Sequence, residues 1–547
     1  MTRIPLEALD AAAARQSHYS MVAPSQLEPG GIDPLGMGAI NLGLAASALP
    51  GVNNVTSRIR VYTFVAWAWW KARDCLLARG GENVDAKELQ ALVDRWEVLF
   101  VWSNMLEGTN EGLPGRLKLG GALPKEHSFA MEGEDWDRLR AARHSGQTNL
   151  QAAVTYGPSS KALQWVVARE NGAFVPSEQV MAAIEVFDSE VMSVLPPRLL
   201  SPGGAEISVD EVRAMHKAWN TQAVTAAERN VFREIFYDRG YAGDFGEHTI
   251  LSRTLEVFRR ALAQAGEPCA TDDLRRILAS WRYQDGRRFE PGADVQDRAL
   301  LWPAFQARQL QRMALEAMLC WIEDFIGKAG DVASAEAMAS AADAAARDSE
   351  DGADAQTVGS YLTAVAARGG QESWPAACAG NESTDIFDLM SALSAAVRQG
   401  EWGNIPGLAL RGIAISEAIA SSVRTQGVVQ GTMNPLGGAP DRLPLAEASR
   451  QLRIMDGQSM LSLWTEIILS WVLAQHVRWS VARNGDGKQR LRVTLDEGGW
   501  TRLRSNGRAV NFMPDRIGTA LSLGAECGIF AEARSDAGRR TFSAPLL

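Results

Sequence analysis

Cysteine is scarce in this chain of 547 residues: five in all, at positions 75, 269, 320, 378 and 527. No C-x-x-C or other paired spacing occurs and the number is odd, which argues against a disulfide framework or a cysteine zinc site and points to a reducing cytoplasm. The six histidines (His18, His127, His144, His216, His248, His476) are isolated from one another, so no H-E-x-x-H metal helix is present. A G-x-S-x-G elbow and the kinase set are missing too. Gly36, Gly38 and Gly43 follow no strand and misplace the third glycine of a dinucleotide loop, and Gly157–Lys161 lacks the Walker spacing. No metal or cofactor is expected from these patterns.

Long hydrophobic runs are also lacking. Val61–Trp70 is too short to span a bilayer, and Met460–Ala474 carries Glu466 near its middle. The first twenty residues hold no apolar core of the secretory kind. The reading is a cytoplasmic protein without a membrane partner. Basic charge is in deficit, with 55 Lys and Arg against 65 Asp and Glu and a net charge of −10. That argues against a surface that coats nucleic acid everywhere and leaves room for a local basic module.

What is present is helical periodicity over a length sufficient for several domains. Leu310, Ala314, Ala317, Trp321 and Phe325 recur at three- and four-residue steps, with Gln311, Arg312, Glu316 and Glu323 between them. This predicts an amphipathic helix entered near Pro303. A second helix is expected over 54–72, capped by Thr56 or Ser57 and apolar on nearly every side. Others are expected over 85–107, 176–194, 208–237, 248–284, 386–398, 408–425 and 444–483. Seventeen tryptophans against seven tyrosines suit a large helical core better than a stacking surface for bases. His476, near Trp471 and Trp479, reads as a satisfied core histidine.

Breaks in the pattern divide the chain into an N-terminal helical domain (1–200), a middle helical domain (205–328), an alanine-rich acidic connector or peripheral helix pair (329–370), a further helical domain (371–484) and a C-terminal module (485–547). The fold class is mainly α, a multidomain helical body with a small α+β module at its end. In that module Leu491, Val493 and Leu495 alternate with polar residues as in a strand. Pro514 and Asp515 open a helix that stops at Gly528, and a hairpin follows with Ser535–Gly538 as its turn. Residues 478–540 hold twelve Lys and Arg against seven Asp and Glu, a local basic surplus in an acidic chain.

Helix, strand, turn and strand in this order resemble the final half of a winged helix–turn–helix. The resemblance implies a recognition helix with Arg516 at its start and a basic wing with Arg534, Arg539 and Arg540. Lys488, Arg490, Arg502, Arg504 and Arg508 would widen the patch, and the implied partner is double-stranded DNA or a protein that carries it. Two other clusters stand out. Arg58, Arg60 and Tyr62 enter the aromatic helix and would either form an anion pocket or clamp a neighbouring loop. Asp244, Glu247 and His248 gather around glycines between two helices, as a loop or as acid–base and metal chemistry.

Four blocks carry a wider likeness: GGIDPLGMGAINLGLAASALPGVNNVTSRIRVYTFVAWAWW, WDRLRAARHSGQTNLQAAVTYGPSSKALQWVV, ERNVFREIFYD and LWPAFQARQLQRMALEAMLCWIEDFI. Together they resemble a group of large bacterial proteins with a small-residue helix, T-S-R-x-R-x-Y and an aromatic helix, similar to proteins encoded beside restriction and phage-defence genes. The likeness covers about the first 330 residues and the tail, and it carries over no catalytic residue. It implies a non-catalytic component of an antiviral-defence or DNA-transaction complex, with other protein subunits as partners. The alternative is an enzyme with a site between the N-terminal and middle domains, using Arg58, Arg60, Asp244, Glu247 and His248.

Overall fold

A computed structural model describes residues 33–79, 84–123, 128–168, 173–239, 247–368, 385–426, 434–483, 490–503 and 509–545. Helices dominate, and the sheets have only two or three strands each, so the fold is mainly α. The helices that position the site are α1 (Ile59–Leu77), α2 (Ala86–Leu106), α3 (Glu247–Ala265), α4 (Thr271–Ser280), α5 (Leu301–Lys328), α6 (Ala335–Ser349), α7 (Ile405–Thr425), α8 (Met460–Ala482) and α9 (Ile517–Glu526). The strands are β1 (Cys269–Ala270), β2 (Val332–Ala333), β3 (Val493–Asp496), β4 (Gly499–Arg502), β5 (Ala531–Arg534) and β6 (Arg540–Ser543).

Helix α5 is the axis of the molecule. Every residue from Leu301 to Glu323 is buried, including the polar ones that periodicity places on a solvated face. Those side chains are spent inside. Arg312 pairs with Glu316 at 2.6 Å, Arg308 donates to the carbonyls of Leu443 and Arg442 at 2.6 and 2.7 Å, and Gln309 donates to the Met513 carbonyl at 3.0 Å. Irregular backbone crossing a buried helix needs donors for its carbonyls, and α5 supplies them. Its other flank meets α7, where Gly412 lets the backbones close: a methyl there would stand 3.3–3.4 Å from Leu310 and Ala314. Ser416 of α7 donates to the Ala307 carbonyl at 3.0 Å.

Three predicted helices are broken by local chemistry. Thr225 and Glu228 form a capping box that restarts the 208–237 stretch, β1 interrupts 248–284, and Ser459 caps a new start inside 444–483. The alanine-rich stretch is a helix pair, but its first member is not peripheral: α6 packs on α7 and α8 through Met338, Ala339, Ala342 and Ala346. Helix α8 is long and apolar enough to cross a membrane, yet 56 % of its most apolar window is packed inside the protein. Most of the described tryptophans are core: Trp67, Trp96 and Trp219 form a fully buried aromatic cluster.

The last sixty residues form the small α+β module that the composition shift suggests, and its strands pair with earlier ones. Strand β6 pairs with β1 and β5, giving the antiparallel order β1-β6-β5, so the C-terminal hairpin completes a sheet begun more than 260 residues earlier. Strand β4 pairs with β2 and β3 in the order β2-β4-β3. The two assemblies share one topology. In each, a long helix leads through a two-residue strand into a second helix (α3–β1–α4, α5–β2–α6). In each, a later helix and hairpin return to the sheet (α9–β5–β6, α8–β3–β4), with the last strand central. The second unit lies wholly within the interval between α4 and α9 of the first.

Candidate functional site

Helix α9 is clamped at both ends. At its C-terminal end the Glu526 carboxylate accepts from the Arg58 guanidinium at 2.8 Å and from the Ile59 N–H at 2.7 Å. It therefore caps α1, whose boundary residue is Arg58, and neither Thr56 nor Ser57 does so. Burial opposes the charge on Arg58, but Glu526 and Glu111 outweigh it and raise its pKa. At the N-terminal end Asp515 takes a two-pronged contact from Arg275 at 2.5 and 3.1 Å and accepts from the Ile517 N–H at 3.2 Å.

Between these clamps Arg516 sits at φ +67°, in the left-handed region that a residue with a Cβ adopts at a cost. Its Nη1 donates to the Val52 carbonyl at 2.6 Å, and no carboxylate among the described residues lies within ion-pair reach. Burial alone acts on it, lowering its pKa. Arg540, from β6, donates to the Ser522 hydroxyl at 3.1 Å and stands 3.9 Å from Glu532. The four arginines Arg58, Arg275, Arg516 and Arg540 line one cleft of about 450 Å³, with Ser57, Thr519 and Ser522 and the carboxylates Glu111 and Asp515.

The structure thus merges two groups that look separate in the sequence, Arg58 from the aromatic helix and Arg516 with Arg540 from the tail. Arg60 and Tyr62 leave the group. Arg60 is buried against Glu228 at 2.6 Å, Glu190 at 2.5 Å and the Ala218 carbonyl, and Tyr62 hydrogen-bonds Ser159 at 2.6 Å within the aromatic core. Their side chains are committed to these neighbours. Arg275 is missed by the sequence reading, because an arginine three residues after Asp272 reads as an ordinary helix pair.

Arg516 stands at the helix start as expected, but the helix that it opens is covered. Residues 519–524 of α9 are all buried, so this helix does not lie open to a DNA groove. The outer strand of the hairpin and its turn do lie open. All four residues of β5 are exposed, and Arg534 stands directly opposite Arg540, with Arg539 beside the turn. Arg490 donates to the Arg483 carbonyl at 2.5 Å, and Arg502 pairs with Asp331 at 3.0 Å in the other sheet. Lys488, Arg504, Arg508 and Asp244 lie outside the described residues, as do the side chains of Glu247 and His248, which open α3. Among the described residues no group of three or more His, Cys, Asp or Glu comes together to hold a metal ion. No protein-family model, curated protein or solved structure matches this chain.

Proposed function

We propose that this chain is a helical scaffold of a DNA-directed assembly and contacts the phosphate backbone of double-stranded DNA through the β5–β6 hairpin. In this reading α3–β1–α4 and α9–β5–β6 together make a winged-helix-like unit assembled from two distant stretches, with the hairpin as its wing. The antiviral-defence setting rests on the sequence resemblance to bacterial proteins.

The single observation that carries the reading is the cross-strand pair of Arg534 and Arg540 on a hairpin whose outer strand is exposed, with Arg539 at the turn. Like charges directly opposite each other on a ladder are destabilising. An anionic polymer laid along the hairpin reverses the sign of that cost. The buried α9 favours backbone contact over base readout, so binding should be insensitive to sequence and steeply dependent on salt.

The test is binding of the full chain to double-stranded DNA across a salt series, repeated with R534Q/R539Q. Each lost phosphate contact should reduce the slope of log K against log salt by about 0.9, so the double variant should lose about two. An unchanged slope, or no salt-sensitive binding by either protein, overturns the reading in favour of a protein partner on the hairpin.

A further inference from the structure

We infer that the cleft at the start of α9 is a binding site for a phosphate monoester, the group shared by a free mononucleotide and the 5′ end of a nucleic-acid strand. This inference shares only Arg540 with the hairpin reading and otherwise stands on different residues and a different ligand group.

The first turn of α9 presents the N–H groups of Gly518 and Thr519, which have no intrahelical acceptor, at the positive end of a ten-residue helix. A helix end alone is not a site. Thr519 supplies the second observation: it is 8 % exposed, it lines the cleft, and no group among the described residues hydrogen-bonds its hydroxyl. That hydroxyl opens onto the cleft, where a ligand oxygen can meet it. Arg516 supplies a third, a half-buried guanidinium held in a left-handed backbone conformation with no carboxylate beside it.

Charge matching then fixes the ligand class. Arg58 and Arg275 are already committed to Glu526 and Asp515 and act as the rigid walls of the cleft. Asp515 is spent in turn on Arg275 and the Ile517 N–H, and Glu111 stands 3.6 Å from Arg58 at the exposed rim. The two cations left with the least compensation are Arg516 and Arg540, whose nearest carboxylate is 3.9 Å away. Two such guanidiniums beside a hydroxyl and two backbone N–H groups suit a dianion with three terminal oxygens better than a singly charged diester. A cleft of about 450 Å³ exceeds what the phosphate group needs and has room for the sugar that bears it.

The experiment is calorimetric titration of the full chain with adenosine 5′-monophosphate, adenosine, and one short single-stranded oligonucleotide with and without a 5′-phosphate. The monophosphate should bind saturably and adenosine should not. R516Q should weaken that binding by roughly tenfold or more and T519V by a few-fold, as expected for a lost charged and a lost neutral hydrogen bond. R516G, which relieves the left-handed strain, keeps the test valid if R516Q folds poorly: it should melt no lower than the parent and still lose the ligand. Tighter binding of the phosphorylated strand than of the mononucleotide assigns the site to strand ends, and the reverse assigns it to a free nucleotide. Equal binding of phosphorylated and unphosphorylated ligands, or full binding by R516Q, overturns the inference. Neither result bears on the salt slope that tests the hairpin.

Discussion

The His476 imidazole is fully buried and held neutral from two sides. Its Nδ1 donates to the Pro34 carbonyl at 2.8 Å, and its Nε2 accepts the Arg492 N–H at 2.9 Å. A second proton would remove that acceptor and place a cation in the core, and burial holds the pKa down to about 4 from 6.5. The unfolded chain therefore binds this proton more readily than the folded one. The stabilisation is fully present above pH 6.5 and is lost as pH falls from there through 4, by up to about 3 kcal/mol. Urea unfolding of the parent and of H476Q between pH 7.5 and 4.5 should show a shallower loss for H476Q. Parallel curves would mean that other groups set the acid limit. Arg60 makes a stronger prediction. Its removal leaves Glu228, which is 0 % exposed, without its cation, so R60A should cost about 3–5 kcal/mol in the same assay.

At the scale of elements, the tail shows what the sequence makes legible and what it hides. The α9 helix and the β5–β6 hairpin announce themselves through Pro514, the Gly528 stop and a four-residue turn, each of them local chemistry. Their partners do not. Strands β1 and β2 have two residues each, too few to show alternation, so the sheets that absorb the tail leave no mark in the periodicity. Helix α5 misleads for another reason: polar residues at helical spacing look the same whether they meet water or buried carbonyls. The cleft is legible only in halves, because Arg58 and Arg516 lie hundreds of residues apart and their link is the acceptor set of Glu526, Asp515 and Val52. The joint between α9 and the hairpin is tightly built. A methyl at Gly524 would fall within 2.5 Å of the buried Phe530 ring, while the Gly524 carbonyl accepts from the Ile529 N–H at 2.7 Å. G524A should therefore cost about 1–3 kcal/mol by overpacking. Hydrogen exchange at the β5 and β6 amides should accelerate more than in α5; uniform acceleration would show that the joint is not a local hinge of stability.

For the whole molecule, the nesting of one unit inside another means that the tail holds the middle of the chain together. Removing everything after residue 483 would take away β3, β4, α9, β5 and β6 at once. Strands β1 and β2 would lose their partners, and the Ile59 N–H would lose Glu526. Glu323, 0 % exposed, would lose the two-pronged contact from Arg492. Breaking a buried pair from one side costs about 3–5 kcal/mol, a large share of the stability of any domain. A tail that were a separate module could be cut away and leave the melting temperature of the body unchanged. The nested topology predicts the opposite: the truncated chain should lose its cooperative thermal transition or aggregate on purification. The full chain should also refold slowly for a helical protein, since both sheets close between segments far apart in sequence. Differential scanning calorimetry of the two proteins decides between the alternatives. If the body keeps its melting temperature without the tail, the pairing of β6 with β1 and of β4 with β2 contributes nothing to stability. Loss of the transition would instead make point substitutions such as R534Q/R539Q, rather than truncation, the sound way to probe the hairpin.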